Sequence, residues 1–183
     1  MRIIAGEFGS RKLKTVPENS LRPAMGKTRE ALFSMLEAGG IDWSAAPVLD
    51  LFAGCGSLGL ECLSRGSPEA DFVENAQQQY VCIRQNAAEL GVLNRCGIYR
   101  QDVLRFLRQP LKRPYQIIFL DPPYGKNLVK KCLEHLVQYN WLKNRPIIIA
   151  EVEKYNTIQF PEILGTHLKR DFGQTSIHIW NFE

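Results

Sequence analysis

From residue 47 onward, short apolar runs alternate with longer amphipathic segments, and glycines separate many of them. A short apolar run that ends at glycine is typical of a buried strand, whereas apolar residues spaced three or four apart predict a helix. The predicted strands lie at 48–52, 70–74, 97–101, 115–120 and 146–152, and the predicted helices lie at 58–63, 76–90, 103–108 and 127–138. This alternation predicts an α/β fold with a mostly parallel sheet that helices cover on both faces.

The C-terminal part of the chain has a different pattern, because no helix follows the fifth predicted strand. Two β-like runs, 163–169 and 175–180, are joined across Asp171-Phe172-Gly173. This spacing predicts an antiparallel hairpin that completes a seven-stranded sheet. Apolar residues alternate with polar ones from Ser176 to Trp180, so we expect one face of the last strand to be exposed to water.

The N-terminal residues lack this regular pattern. Residues 1–23 are rich in glycine, proline and charge, with only short apolar pieces, which indicates a small β-hairpin or extended arm. A helical pattern follows at 28–36 and ends at Gly39-Gly40. We therefore expect a small N-terminal extension over residues 1–40 and the main domain over residues 41–183.

Composition favours a globular protein of the cytoplasm. The chain has 183 residues, of which 45% are hydrophobic and 23% are charged, enough to bury a core without disulfides or metal. Its five cysteines are odd in number and form no Cys-x-x-Cys pair, so neither a disulfide framework nor a zinc site is predicted. No apolar run is long enough to span a membrane, and the first residues do not resemble a signal peptide. No membrane partner is expected.

Positive charge is concentrated at the N-terminus. The net charge is +4, but residues 1–29 contain seven basic and two acidic residues and so carry +5. A basic arm on a nearly neutral body is a candidate phosphate-binding surface. A solvated arm without a partner is the alternative interpretation.

A glycine-rich motif follows the first predicted strand. Gly54, Gly56 and Gly59 form a Gly-x-Gly-x-x-Gly pattern between a strand and a helix, the context in which it binds nucleotide cofactors. Glu74 lies 20 residues after Gly54, at the end of the second predicted strand. A carboxylate at this spacing binds ribose hydroxyls in such folds. The motif therefore predicts a cofactor that contains ribose.

The neighbouring acids suggest which cofactor it is. Asp50, at the end of the first strand, would repel a pyrophosphate but suit a cofactor that carries positive charge. S-adenosylmethionine has a sulfonium, an ammonium, a ribose and an adenine, and no phosphate. Asp102, just after the third strand, could accept a hydrogen bond from the adenine amino group. Each acid could instead cap a helix or solvate a strand end.

The fourth predicted strand ends in Asp121-Pro122-Pro123-Tyr124. Two prolines fix two φ angles and remove two N–H donors, which leaves a stiff turn with carbonyls and one carboxylate as acceptors. An exocyclic amine would suit this turn, and Tyr124 offers a flat face to a base taken out of its stack. A rigid turn that starts the next helix is the alternative.

These motifs resemble the Rossmann-like methyltransferases that use S-adenosylmethionine to modify exocyclic amines. More narrowly, the chain resembles the bacterial small-subunit (16S) rRNA guanine-N2 methyltransferase family. The resemblance covers nearly the whole chain and includes the motifs at 2–6, 28–33, 50–59, 121–124 and 172–175. The chain departs from the family pattern at Cys55, where threonine is common, and at Ala24 and Lys27 in the arm.

The resemblance implies a fold, a cofactor and a substrate. It implies a Rossmann-like methyltransferase fold, S-adenosylmethionine as cofactor with S-adenosylhomocysteine as product, no metal, and 16S rRNA or a small-subunit particle as partner. A monomer is compatible with the sequence, which leaves the oligomeric state open. The implied cofactor residues are Asp50, Phe52, Gly54, Gly56, Glu74, Asp102 and Val103. The implied residues for a flipped guanine are Asp121, Pro122, Pro123 and Tyr124. The implied RNA-binding residues are Arg2, Arg11, Lys12, Arg22, Lys27 and Arg29.

The chemistry of the turn favours guanine over other bases. Guanine presents N1–H and N2–H₂ side by side, and an ionised Asp121 can only accept. Three alternatives remain: a DNA or other RNA amino-methyltransferase, a nicotinamide-dependent oxidoreductase, and a non-catalytic RNA-binding module. An oxidoreductase would leave Asp50 and the proline turn unexplained. His135, His167 and His178 lie in helix or hairpin patterns, so we expect structural or surface roles for them.

Overall fold

The computed structural model describes residues 1–16, 25–123, 127–155 and 165–181, and seven strands of this part form one sheet. In chain order the strands are β1 Val48–Leu51, β2 Ala70–Glu74, β3 Cys96–Arg100, β4 Ile117–Leu120, β5 Ile147–Glu153, β6 Thr166–Phe172 and β7 Thr175–Asn181. Their order across the sheet is β3-β2-β1-β4-β5-β7-β6. Strands β1 to β5 pair in parallel, and β7 is antiparallel to both β5 and β6. The predicted fold class is confirmed.

Among the described residues, five α-helices connect or flank the strands. They are α1 Met25–Ala38, α2 Ser57–Arg65, α3 Gln77–Leu90, α4 Val103–Leu107 and α5 Leu128–Gln138. Helices α2 and α3 end where glycines were expected to stop them, since Gly66 and Gly91 have φ values of 116° and 76°. Their backbone N–H groups bond to the last carbonyls of each helix, which satisfies acceptors that the helix leaves open.

Two hydrophobic clusters lie on opposite faces of the sheet. Val48 and Phe119 belong to the cluster under α1, α2 and α3, whereas Leu49 and Leu120 belong to the cluster under α4 and α5. Side chains of a strand alternate between faces, so β1 and β4 are buried on both sides. This double burial explains why these strands are continuous apolar runs in the sequence.

The C-terminal hairpin differs from the prediction in two ways. Phe172 pairs with Thr175, so the turn consists of Gly173 and Gln174, and the turn predicted at 171–173 is wrong. The exposed face predicted for the last strand is also wrong, because residues 175–180 are all buried. Strand β7 lies inside the sheet, and the exposed edge is β6. Part of the run predicted at 163–169 falls outside the described residues.

Two histidines help to cover the inner strand of this hairpin. His167 Nε2 and His178 Nδ1 are 2.8 Å apart, and both rings stack with Trp180. Burial, reinforced by His167 and Lys169, lowers the pKa of His178 to about 4. His135 is half-buried on α5, where its Nδ1 lies 2.9 Å from the Lys131 carbonyl oxygen. These positions agree with the structural or surface roles expected for the three histidines.

The N-terminal arm forms a small hairpin that packs onto the main body. Arg2 and Lys12 form an antiparallel bridge, as the predicted hairpin requires. Ile3, Phe8 and Leu13 are buried in the same cluster as the α1 side chains and the first face of the sheet. The arm and the body thus share one core, and the division at residue 40 stays a prediction.

Buried polar groups on α2 hold the arm in place. The Glu61 carboxylate, fully buried, accepts hydrogen bonds from the Ile4 N–H (2.7 Å) and the Ala5 N–H (3.0 Å) and pairs with Arg65 Nε at 2.9 Å. Gly6 has a φ of 81°, and a Cβ there would lie 1.9 Å from the Ser64 carbonyl oxygen. Only glycine allows this close approach of two backbones.

Replacing Glu61 by alanine should destabilise the protein strongly. The change leaves two backbone N–H groups and Arg65 without their buried acceptor, a loss of about 3–5 kcal/mol. Arg65 also pairs with Glu37, whose side chain is 50% exposed, so Glu37→Ala is the matched control and should cost less than about 1 kcal/mol. Urea unfolding at pH 7 measures both values. Equal losses in the two variants would contradict this account of the arm.

Candidate functional site

The carboxyl ends of parallel strands converge at one edge of the sheet, where open α/β sheets bind ligands. The glycine loop follows β1, Glu74 ends β2, and the Asp121 turn follows β4. The strand register brings these three together, since β1 lies between β2 and β4. Motifs far apart in the sequence therefore border one crevice.

Glu74 binds the backbone of the glycine loop directly. Its Oε2 accepts the Gly54 N–H at 2.9 Å, and its Oε1 accepts the Ala76 N–H at 2.8 Å. Gly54 has a φ of 56°, and nothing lies within 4 Å of the place that a Cβ would take. Each carboxylate oxygen has a second lone pair, so Glu74 can still accept a hydrogen bond from a ligand hydroxyl in this space.

Asp50 lies beneath the glycine loop and is 1% exposed. Its Oδ2 accepts the Gly59 N–H at 3.0 Å, but its Oδ1 is buried with no hydrogen-bond partner among the described residues. Burial raises the pKa of Asp50 to about 7; the Gly59 bond opposes this, and Glu74 adds to it. A buried acceptor without a partner is costly, and a cationic ligand beside it would relieve that cost. The ammonium of S-adenosylmethionine fits this requirement, and a phosphate does not.

Three other predicted cofactor residues differ in conformation, burial and hydrogen bonding. They are Phe52, Asp102 and Val103. Phe52 has a φ of 65°, a left-handed conformation that is unusual for a bulky residue and is typical of functional turns. Val103 is buried at the start of α4. Asp102 caps this helix, with Oδ1 accepting the Arg105 N–H at 2.9 Å. The capping alternative is therefore observed for Asp102, and its contact with adenine stays a prediction.

Asn86 of α3 connects the arm to the glycine loop. Its Oδ1 accepts the Lys14 N–H at 2.8 Å, and its Nδ2 donates to the carbonyls of Lys14 (3.1 Å) and Cys55 (3.0 Å). The Cys55 sulfur accepts the Val16 N–H at 3.3 Å. Cys55 therefore contacts the arm through its side chain. The buried Asn86, to which the sequence analysis assigned no role, also binds the arm.

A pocket opens beside Asp121, between α1 and the ends of β4 and β5. Apolar side chains supply much of its wall: Leu32, Leu58, Phe119, Ile149 and Ile177. Its polar lining includes Thr28, Arg29, Ser57, Asp121 and Glu151. Apolar walls with a few convergent polar groups are typical of a site for a flat, partly polar ligand. Pro122 is buried and Pro123 exposed, whereas Tyr124 lies outside the described residues.

Sequence reasoning missed two parts of this pocket. It assigned α1 to the N-terminal extension and predicted no role for it in a pocket, although Thr28 and Leu32 line the wall. It also passed over Glu151, an acid inside the apolar run of β5. A charged residue in a strand that is otherwise buried was a signal, since such strands are continuous apolar runs unless a function requires otherwise.

The predicted RNA-binding residues are not equally available. Lys12 and Lys27 are exposed, and Arg22 lies outside the described residues. Arg2 Nη1 donates to the Ser10 carbonyl at 2.8 Å, and Arg11 Nη2 donates to the Glu89 carbonyl at 2.9 Å. Both side chains therefore help to shape the arm.

Arg29 is half-buried, unlike the exposed Lys12 and Lys27. Its Nη2 donates to the Arg2 carbonyl, and burial lowers its pKa, while Glu61 opposes the shift. An RNA role for Arg29 stays a prediction, and its visible contact joins α1 to the arm.

No group of three or more His, Cys, Asp or Glu side chains in the described segments could hold a metal ion. None of the described helices is both long and apolar enough to cross a membrane.

Sequence comparison identifies related proteins over the full length. The family model described as conserved hypothetical protein 95 matches residues 1–181. A relative from Buchnera aphidicola subsp. Acyrthosiphon pisum is 33% identical over 180 residues, covering 97% of this chain and 91% of the relative. One from Escherichia coli (strain K12) is 32% identical over 184 residues, covering 100% and 90%. Both are named ribosomal RNA small subunit methyltransferase D.

Solved structures share the fold. The Escherichia coli protein yhhF has a TM-score of 0.87 at 29% identity and covers 100% of this chain and 98% of its own. The Thermus thermophilus 16S rRNA N2 G1207 methyltransferase, solved with AdoMet and guanosine, has a TM-score of 0.72 at 16% identity, covering 100% of this chain and 49% of its own. The latter likeness concerns the fold alone. Together they confirm the predicted Rossmann-like methyltransferase fold.

Replacing Asp50 by asparagine should change how stability depends on pH. The carboxyl has a pKa of about 7 in the folded protein and near 3.9 when unfolded, so the folded state binds the extra proton between these values. This contribution to stability is present at low pH and is lost as pH rises toward 7. The free energy of unfolding of Asp50→Asn, minus that of the wild type, should rise from pH 4 to 7 by up to about 1.4 kcal/mol per pH unit. Urea titrations across this range measure it, and a flat or falling difference would refute the assignment.

Proposed function

The chain belongs to the conserved hypothetical protein 95 family, together with small-subunit rRNA methyltransferases, and we propose that it methylates the exocyclic N2 amine of a guanine in 16S rRNA. S-adenosylmethionine is the methyl donor in this proposal. The observation that carries it is the apolar pocket beside Asp121, at the same sheet edge as the glycine loop. One side of the crevice suits a cationic cofactor, and the other suits a base.

Hydrogen-bond acceptors that could still bind a ligand support the proposed cofactor site. The buried Oδ1 of Asp50 has no partner in the described part of the chain, and a ligand ammonium would satisfy it. Glu74 keeps lone pairs for the ribose hydroxyls, and the open space at Gly54 allows the ligand to approach the backbone. Asp102 and Val103 would border the adenine. A negative crevice also argues against a nicotinamide dinucleotide, because its pyrophosphate would meet Asp50.

The acceptor side would receive a guanine turned out of its RNA helix. Asp121 lines the pocket at the end of β4, and the apolar wall suits the faces of a purine. In the proposal Asp121 and the Pro122 carbonyl accept hydrogen bonds from the N2 amine, Pro123 stiffens the turn, and the ring of Tyr124 offers a flat face to the base. Because the turn lacks two N–H donors, the amine meets acceptors only.

Positioning supplies much of the proposed catalysis. The lone pair of a guanine N2 is delocalised into the ring, so the amine is a poor nucleophile. Acceptors that hold its hydrogens favour a pyramidal nitrogen and aim the lone pair, and orientation of this kind is worth roughly 7–11 kcal/mol. The cofactor supplies an electrophilic methyl group, and its sulfur keeps the electron pair of the broken bond. Asp121 stabilises the positive charge that develops on N2, which then loses a proton to water.

The basic arm is proposed to bind the RNA backbone. Lys12 and Lys27 are exposed on the arm and on α1, and α1 also forms a wall of the pocket. Phosphates held there would lie near a base that enters the pocket. The substrate is 16S rRNA or a small-subunit particle that presents the same guanine.

The direct test is mass mapping of methylated guanine in small-subunit rRNA after incubation with the protein and labelled cofactor. We expect one N2-methylated guanine with the wild type. Asp121→Asn should lower transfer by at least about 100-fold, because an amide places donors against the donor edge of guanine. Binding of S-adenosylmethionine, measured by calorimetry, should change by less than about threefold. Unchanged guanine turnover in this variant, or methylation of another base, would refute the proposal.

Binding of rRNA should weaken steeply as salt rises. Each phosphate contact contributes roughly 0.7–0.9 to the slope of log affinity against log salt, so Lys12→Gln and Lys27→Gln should each flatten the slope by about one. Lys143 is exposed just before β5, at the amino ends of the parallel strands and away from the crevice at their carboxyl ends. Lys143→Gln is therefore the matched control. Filter binding between 50 and 300 mM salt measures the slopes. A flat salt response of the wild type would exclude the arm as a phosphate-binding surface.

A further inference from the structure

Glu151 lies beside Asp121 at the edge of the sheet. Leu120 of β4 pairs with Ala150 of β5, so Asp121 and Glu151 are the next residues of two neighbouring parallel strands. Neighbouring strands are about 4.8 Å apart. The backbones at Asp121 and Glu151 are therefore neighbours at the same level of the sheet.

Both side chains face the pocket. Phe119 and Ile149 belong to the cluster under α1, and side chains two residues further along a strand point to the same face. Asp121 and Glu151 consequently share that face, and both line the pocket beneath α1. Ile177 of β7 is directly opposite Glu151 in the register and continues the apolar wall.

An acid is unusual at this position of β5. The strand is Ile-Ile-Ile-Ala-Glu-Val-Glu, and Glu151 is partly buried between Ala150 and Val152, which are both buried. A carboxylate in such a place costs desolvation that a branched apolar residue would avoid. Residues that oppose the local pattern in this way are characteristic of functional sites.

We propose that Glu151 determines specificity by accepting the N1–H of the guanine, while Asp121 accepts hydrogens of the N2 amine; this inference rests on the proposed function. Guanine presents these donors side by side, and two neighbouring carboxylates present matching acceptors. A base with a lone pair at N1 would be repelled there, because both N1 and the Glu151 oxygen are acceptors. Adenine and 2-aminopurine have such a lone pair, and 2-aminopurine keeps the N2 amine.

The test compares guanine with 2-aminopurine at the mapped position of ligated, semi-synthetic small-subunit rRNA. The wild type should methylate guanine at least about 100-fold more efficiently, since a buried acceptor without its donor is costly. Glu151→Gln can donate its amide hydrogens to the N1 lone pair of 2-aminopurine. In this variant we expect guanine turnover to fall, 2-aminopurine turnover to rise, and their ratio to shrink at least tenfold.

Controls separate the inference from the proposed function. Glu153→Gln removes the next acid of the same strand, which does not line the pocket, and should keep the wild-type ratio. Glu151→Gln should still unfold in one cooperative thermal transition, and its calorimetric binding of S-adenosylmethionine should be unchanged. A wild-type enzyme that uses both bases equally, or a ratio unaffected by Glu151→Gln, would overturn the role of Glu151 and leave guanine methylation intact. A wild type that methylates no guanine would overturn both.

Discussion

Carboxylates bound to backbone N–H groups hold the glycine loop, and the cofactor side of the crevice depends on them. Glu74 at the end of β2 accepts the Gly54 N–H, and Asp50 of β1 accepts the Gly59 N–H at the start of α2. Side chains from two neighbouring strands therefore hold the two ends of the loop. The two carboxylates also lie close enough to interact, since the charge of Glu74 adds to the raised pKa of Asp50. A phosphate-bearing ligand would add repulsion to this arrangement, whereas a cation would relieve it. The same bonds therefore shape the loop and select the charge of its ligand.

The arm is tied to this loop through buried polar contacts. Asn86 of α3 forms hydrogen bonds with Lys14 of the arm and with the Cys55 carbonyl of the loop. Glu61 of α2, the helix that follows the loop, accepts the N–H groups of Ile4 and Ala5. Contacts of this kind have little freedom to slide, since breaking one leaves a buried group without a partner. On the proposed function, a phosphate bound to the arm is thus held in a fixed relation to the cofactor loop. The N-terminal segment acts as part of the site even though its sequence pattern marks it as an extension.

Much of the fold follows from local patterns, and the parts that do not follow depend on long-range neighbours. The spacing of Gly54 and Glu74 predicted a ribose-binding carboxylate near the glycine loop. Glu74 lies at this loop, where it accepts the Gly54 N–H, and its contact with ribose stays a prediction. The burial of β7 could not be seen in its alternating residues, because it depends on β6 covering its other side. Asp102 also looked like a ligand residue, yet its visible bond caps α4. One carboxylate at a strand end can serve either purpose, and only the neighbouring backbone distinguishes them.

The pocket wall shows most clearly why a motif gives only part of a site. The turn at Asp121 can be recognised in the sequence, but the residues that would face the base come from α1, β5 and β7, which are distant in the chain. Their convergence follows from the strand order, in which β5 lies between β4 and β7. This order brings Glu151 next to Asp121, in a strand that is otherwise mostly apolar. On the proposed function, a second acceptor at that point would match two adjacent donors of the base, and it would distinguish guanine from a base that lacks N1–H.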